Sequence, residues 1–266
     1  MSSRRRKHSP EDLRRIKALR LIDDDFMSIF FDGYIEGAEL LLRIILERDD
    51  LKVTEVKTQK QFKNISGRSV CLDIYASDSI GAKYDIEIQR ANNGATPKRA
   101  RYHSSMIDSD MLKEGDDFTE LQENYVIFIT ENDVIGLNEP IYHIDRIIRE
   151  GNVQFEDGEH IIYVNCSLRV MNTALGKLMS DFFCSEAKDM NYKVLSDRVR
   201  QYKETEKGVD DMCEIWDEVR NEGILKNRIE TAQKMIKDGA LPLEKIAEYS
   251  GLSLDKIREL AGNKTA

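Results

Sequence analysis

Apolar positions recur along this chain in two rhythms. From Glu36 to Arg48 the run EGAELLLRIILER repeats at helical spacing, which predicts a helix with Leu40, Leu41, Ile44 and Ile45 turned inward. The acidic run Asp23-Asp24-Asp25 ahead of the apolar FMSIFF suits a helix start, and residues 11 to 22 predict a short amphipathic helix before it. After residue 50 the rhythm shortens to two. Residues 51 to 58 predict a strand, and residues 68 to 77 and 83 to 90 predict two more, joined by a short turn in which Gly81 can take positive φ. ANNGATP breaks the pattern, and Pro97 fits the first turn of a helix from about 97 to 113. NYVIFIT, at 124 to 130, is continuously apolar, as a buried central strand would be. A loop with a short helix near His143-Ile144-Asp145 and a strand at 160 to 165 follow. Beyond that the pattern is helical: 172 to 184, 189 to 204, a long charged stretch at 206 to 238, and a helix-turn-helix pattern at 241 to 262 with Gly251 in the turn and Ser253 as N-cap.

The hairpin carries the candidate chemistry. Folding it symmetrically about Ile80 sets Asp73 directly opposite Glu87, and alternation puts Glu87 and Gln89 on one face. Opposed carboxylates repel unless something positive lies between them. A divalent cation answers that need, with Asp73 and Glu87 as ligands, the Ile88 carbonyl as a third, and Gln89 orienting water or a phosphate oxygen. An ordinary amphipathic sheet face, with acids alternating with Leu72, Ile74, Ile86 and Ile88, is the other account of the same residues. Lys98, Arg99, Arg101 and Tyr102 open the next helix, where they could grip nucleic-acid phosphates and stack on a base, or form a solvated helix face with Tyr102 in the core.

The formal charge of −9 argues against a surface that binds nucleic acid everywhere, but leaves room for a local basic path. The four cysteines form no CxxC pair, which fits reduced thiols in a cytoplasmic protein. No apolar run suits a membrane span, and the basic start MSSRRRKHSPEDLRR lacks the apolar segment of a secretory signal. The four histidines show no paired spacing that would suggest a histidine metal site; His103 could assist near the hairpin, but a surface or half-buried place suits it better. In the tail, Lys256 and Arg258 are offset by Asp255 and Glu259, which suits a packing module as well as a DNA reader.

With these residues in view, the chain resembles the PD-(D/E)XK nuclease superfamily, in its transposase-like, recombination-promoting branch. Asp73 takes the Asp position, and Glu87-Ile88-Gln89 takes the Glu-x-Lys position with Gln for Lys. The likeness runs from about residue 20 to 170 and includes the DDDF opening, RSVCLD, the KRARY helix and YVIFIT. It implies an α/β fold with a restriction-endonuclease-like core, α-β-β-β-α-β around a mixed sheet, followed by helices. The division expected is a basic arm (1–19), a nuclease-like domain (20–170), a helical extension (171–238) and a small tail (239–266). It also implies magnesium- or manganese-dependent hydrolysis of DNA in recombination, with an acidic residue of the first core helix assisting, Glu39 or alternatively Glu36. Gln89 offers hydrogen bonds but no charge, so a catalytically weak DNA-binding or oligomeric regulator on the same core is the competing expectation. The long charged helix makes a homodimer a further expectation.

Overall fold

A computed structural model describes residues 9–64 and 67–262. Most of the basic arm before Ser9 lies outside the described residues. The chain divides into two compact units, Arg14–Glu204 and a second formed by Thr205–Ala266 with the residues up to Leu13.

Helix α1 (Pro10–Ala18) crosses the division at Arg14, and the larger unit continues with α2 (Asp24–Phe31) and α3 (Ile35–Leu46). Strands β1 (Val53–Phe62), β2 (Val70–Asp78) and β3 (Lys83–Gln89) follow, then α4 (Pro97–Met111) and β4 (Asn124–Thr130). Next come β5 (Ile141–Ile144), β6 (Ile147–Ile148), β7 (Val153–Gln154), β8 (Glu159–Asn165), α5 (Ala174–Phe183) and α6 (Lys193–Glu204). The main sheet has the order β1-β2-β3-β4-β8-β5, and β6 and β7 form a separate two-stranded sheet. β1, β2 and β3 form an antiparallel meander, whereas β3, β4 and β8 run parallel. The sheet is therefore mixed, and α3-β1-β2-β3-α4-β4 is the α-β-β-β-α-β order.

The hairpin pairs Tyr75 with Asp85 and Ile74 with Ile86, the register that symmetry about Ile80 predicts. Gly81 turns it with φ 98°, in the left-handed region that glycine enters freely. Two expectations need correction. Residues 141–144 form an edge strand antiparallel to β8, not a helix, because β8 supplies a long-range pairing partner for this β-branched and aromatic run. In α3 the fully buried stripe is Ala38, Leu41, Leu42 and Ile45, with Leu40 and Ile44 only half-buried at its flank.

Helix α4 packs over one sheet face, where Tyr75, Val126, Phe128 and Tyr163 meet Ala100 and Ile107. Phe62, Val70 and Leu72 belong to that same core. Strict alternation from Tyr75 would turn Leu72 the other way. The strand pair therefore changes face near Asp73, opposite Gln59, whose φ of 51° breaks the pleat. In the second unit, α7 (Glu206–Asp238), α8 (Leu243–Ser250) and α9 (Leu254–Gly262) share a small core of Ala232, Ile246 and Ile257. Ser253 Oγ accepts the Lys256 N–H at 3.3 Å, and Lys256 itself pairs with Glu259.

Candidate active site

Asp85, Glu87 and Gln89 stand two apart on β3 and so share the face that α4 covers. Asp85 and Glu87 are 0% and 1% exposed, while Gln89 is half-buried at the strand end. Helix α4 begins where Thr96 Oγ1 caps the Arg99 N–H, with Pro97 at the first position. Arg99 and His103, four apart, therefore lie on one stripe of the helix, aimed at β3.

Ladder pairing of β2 with β3 reaches Ile74↔Ile86. Beyond it the two carboxylates take over the backbone donors. Asp73 N–H donates to Glu87 Oε1 at 3.0 Å, and Ile88 N–H donates to Asp73 Oδ2 at 3.1 Å. The sheet forks here, and each acid caps the strand of the other. Gln59 Nε2 adds a longer contact to Asp73 Oδ1, at 3.4 Å.

Arg99 closes the cluster. Its guanidinium pairs with Glu87 Oε2 and donates to Gln89 Oε1 at 3.0 Å and the Gly94 carbonyl at 3.3 Å. Arg99 Nε meets His103 Nε2 at 3.2 Å, and His103 Nδ1 meets Asp85 Oδ2 at 2.8 Å. The Gln89 carboxamide lies against the Gly94 backbone, where a Cβ would come within 2.0 Å of it.

This packing crowds acidic side chains together out of water. Burial, then the carboxylates of Asp85 and Asp73, push Glu87 up to about 9 against the opposing pull of His103 and Arg99. Burial raises Asp85 well above the ordinary carboxylate range. Asp73 is raised by burial and by Asp24, against the Ile88 N–H and Arg99. Burial lowers His103, which favours the neutral imidazole. Asp85 Oδ1 is buried without a hydrogen-bond partner among the described residues. Donor atoms of Asp85, Glu87 and His103 lie within 4.8 Å of one another. A cluster of crowded oxygen donors whose ionisation is held back by burial, with an unsatisfied carboxylate oxygen, fits a divalent cation, whose charge would favour the ionised acids.

Of the residues singled out in the sequence, Asp73, Glu87, Gln89 and Arg99 come together. Glu39 does not join them. It pairs with Arg43 at 2.7 Å and accepts the Val53 N–H at 3.0 Å. Val53 pairs with Asp78 at the turn end of β2, away from Asp73. Glu36 is exposed on the first turn of α3. Lys98 is exposed and lines an open cleft with Arg68, Asn93, Gly94 and Arg99. Arg101 is exposed and faces a different hollow, with Ser105, Asp108 and Asp145. Tyr102 is half-buried; its hydroxyl donates to the Arg68 carbonyl at 2.5 Å.

Asp85 and Asp24 were not assigned to the site from the sequence, and His103, expected at the surface or half-buried, is instead buried against Asp85. Asp85 had a signal, since it lies two residues before Glu87 on the same strand face, and His103 follows Arg99 by four. Asp24 approaches Asp73 through tertiary packing, which no local pattern announces.

A family model described as PD-(D/E)XK nuclease family transposase matches residues 38–245. No curated protein and no solved structure matches the chain. The matched span covers more than half of the 266 residues and contains the β2–β3 fork and α4. The chain accordingly belongs to the PD-(D/E)XK nuclease family transposases.

Proposed function

We propose that this protein is a divalent-metal-dependent DNA endonuclease acting in recombination or mobile-element biology. The observation that carries the reading is the fork, where Asp73 and Glu87 cap each other's strands among crowded, buried acids. Asp73 and Glu87 would hold magnesium or manganese, with the Ile88 carbonyl as a further ligand. Such an ion, when bound, polarises a phosphate oxygen and acidifies water. Gln89, fixed by Arg99 and Gly94, orients water or a phosphate oxygen through its amide. Lys98 and Arg101 guide the DNA backbone from the exposed side of α4, and Tyr102 anchors the segment before β2 beside them. A cytoplasmic protein acting as a homodimer on DNA is the setting we infer. Among the described residues no helix is long and apolar enough to cross a membrane.

Purified protein should nick supercoiled plasmid with magnesium, and Asp73→Ala or Glu87→Ala should abolish nicking. Equal activity, or equal inertness, of wild type and Glu87→Ala across DNA substrates would sink the proposal. A second reading, a DNA-binding regulator without turnover, draws on Gln89, whose amide carries no charge. It predicts salt-dependent DNA binding that survives Glu87→Ala in the absence of any cleavage.

A further inference from the structure

We infer that Asp85 and His103 form a buried relay that fixes Arg99 between Glu87 and Gln89, and that Arg99 is the cation this site presents to the scissile phosphate. The inference rests on the nuclease reading above and assigns roles within that site.

A guanidinium only donates hydrogen bonds. His103 Nε2, 3.2 Å from Arg99 Nε, must therefore accept. The ring proton then sits on Nδ1 and is donated to Asp85 Oδ2 at 2.8 Å. Asp85 is completely buried, an expensive place for a carboxylate with no task, and its other oxygen has no hydrogen-bond partner among the described residues. Orienting the imidazole gives it one. The histidine in turn sets the roll of the arginine.

Arg99 is held on every side. Glu87, Gln89, the Gly94 carbonyl and His103 take its donors, and its guanidinium carbon lies 5.7 Å from the centre of the Phe128 ring. A cation that merely tracks a DNA backbone needs no such restraint, and its neighbours Lys98 and Arg101 have none of these contacts. Yet Arg99 keeps 36% of its side chain exposed and lines the cleft shared with Arg68, Lys98 and Asn93. A phosphate entering that cleft would meet a preoriented positive charge adjoining Gln89. Phosphodiester hydrolysis builds negative charge on the phosphate oxygens, and fixed donors aimed there act mainly on turnover. Gln89 contributes hydrogen bonds without charge, so the charge must come from elsewhere, and Arg99 is bonded to its amide. Arg99 is thus assigned as catalytic, and His103 and Asp85 as positioning residues.

The test uses the full-length protein with plasmid DNA and magnesium. Arg99→Met should lower kcat by about 100-fold while KM for DNA changes by less than roughly threefold. Arg99→Ala should regain activity when guanidinium ion is added at millimolar concentration, an effect that a purely structural role would not produce. His103→Gln, which can still accept from Arg99, should retain more activity than the similarly sized His103→Leu, with both checked for folding by thermal melting. Imidazole nitrogen shifts provide a readout that needs no turnover: His103 should be the neutral Nδ1–H tautomer, and its Nε2 signal should move in Arg99→Met. An Nε2–H tautomer would overturn the relay. A raised KM with unchanged kcat in Arg99→Met would make Arg99 a backbone guide and overturn its catalytic role. Wild-type protein inert on all DNA would instead remove the nuclease reading, and this use of Arg99 with it, while the nitrogen shifts would still decide the relay.

Discussion

Replacing Glu87 with Gln isolates the electrostatic strain at the fork. Gln keeps an oxygen for the Asp73 N–H, which Glu87 accepts at 3.0 Å, but cannot ionise. In the metal-free wild type, burial and neighbouring acids raise Glu87 from 4.5 to about 9. Below pH 4.5 both folded and unfolded chains hold this proton. Above it the unfolded chain releases the proton first, so stability falls with pH until the folded group ionises near 9. At about 1.4 kcal/mol per pH unit, the loss between pH 4.5 and pH 7 amounts to roughly 3 kcal/mol. Glu87→Gln escapes that loss. Urea unfolding in EDTA at a series of pH values should show the variant gaining on wild type by roughly this amount over the interval. Magnesium should then restore wild type alone, by about 2.7 kcal/mol at one hundred times its dissociation constant. Parallel pH profiles for the two proteins would refute the reasoning, since Glu87 would then carry no penalty for burial among acids.

Other perturbations probe the surrounding supports. Gly94→Ala would drive a methyl to within 2.0 Å of the Gln89 carboxamide, and plasmid nicking should fall by about tenfold or more as that amide is displaced. The Lys203 ammonium donates to the Lys17, Leu19 and Ser185 carbonyls, so Lys203→Met should lower the urea-derived stability by roughly 2–4 kcal/mol by leaving them without a donor. Lys98→Ala and Arg101→Ala should each weaken DNA binding and reduce the slope of log affinity against log salt by about one; an unchanged slope would exclude that cation from the phosphate contacts.

The fold was legible where local pattern and pairing agree. Symmetry about Ile80 located the register of β2 and β3, Pro97 marked the start of α4, and the apolar run from Asn124 to Thr130 is the central strand β4. Ile141–Ile144 was misread because four residues carry little periodicity, and their strand form depends on β8, which lies well downstream. Opposition of Asp73 and Glu87 was visible in the spacing, but the fork was not. It arises because Gln59 breaks the pleat of β1 and the carboxylates then capture backbone donors. KRARYH showed a cluster of cations without revealing which one turns inward. That choice depends on where α4 lies over β3, and it gives Arg99 to the carboxylates while Lys98 and Arg101 stay in solvent.

The most direct measurement is a crystal of the protein soaked in manganese and recorded with anomalous scattering. The account predicts an ion bound to the Asp73 and Glu87 carboxylates, and its loss in Asp73→Ala. Millimolar manganese that leaves the fork without anomalous density in wild type would contradict it.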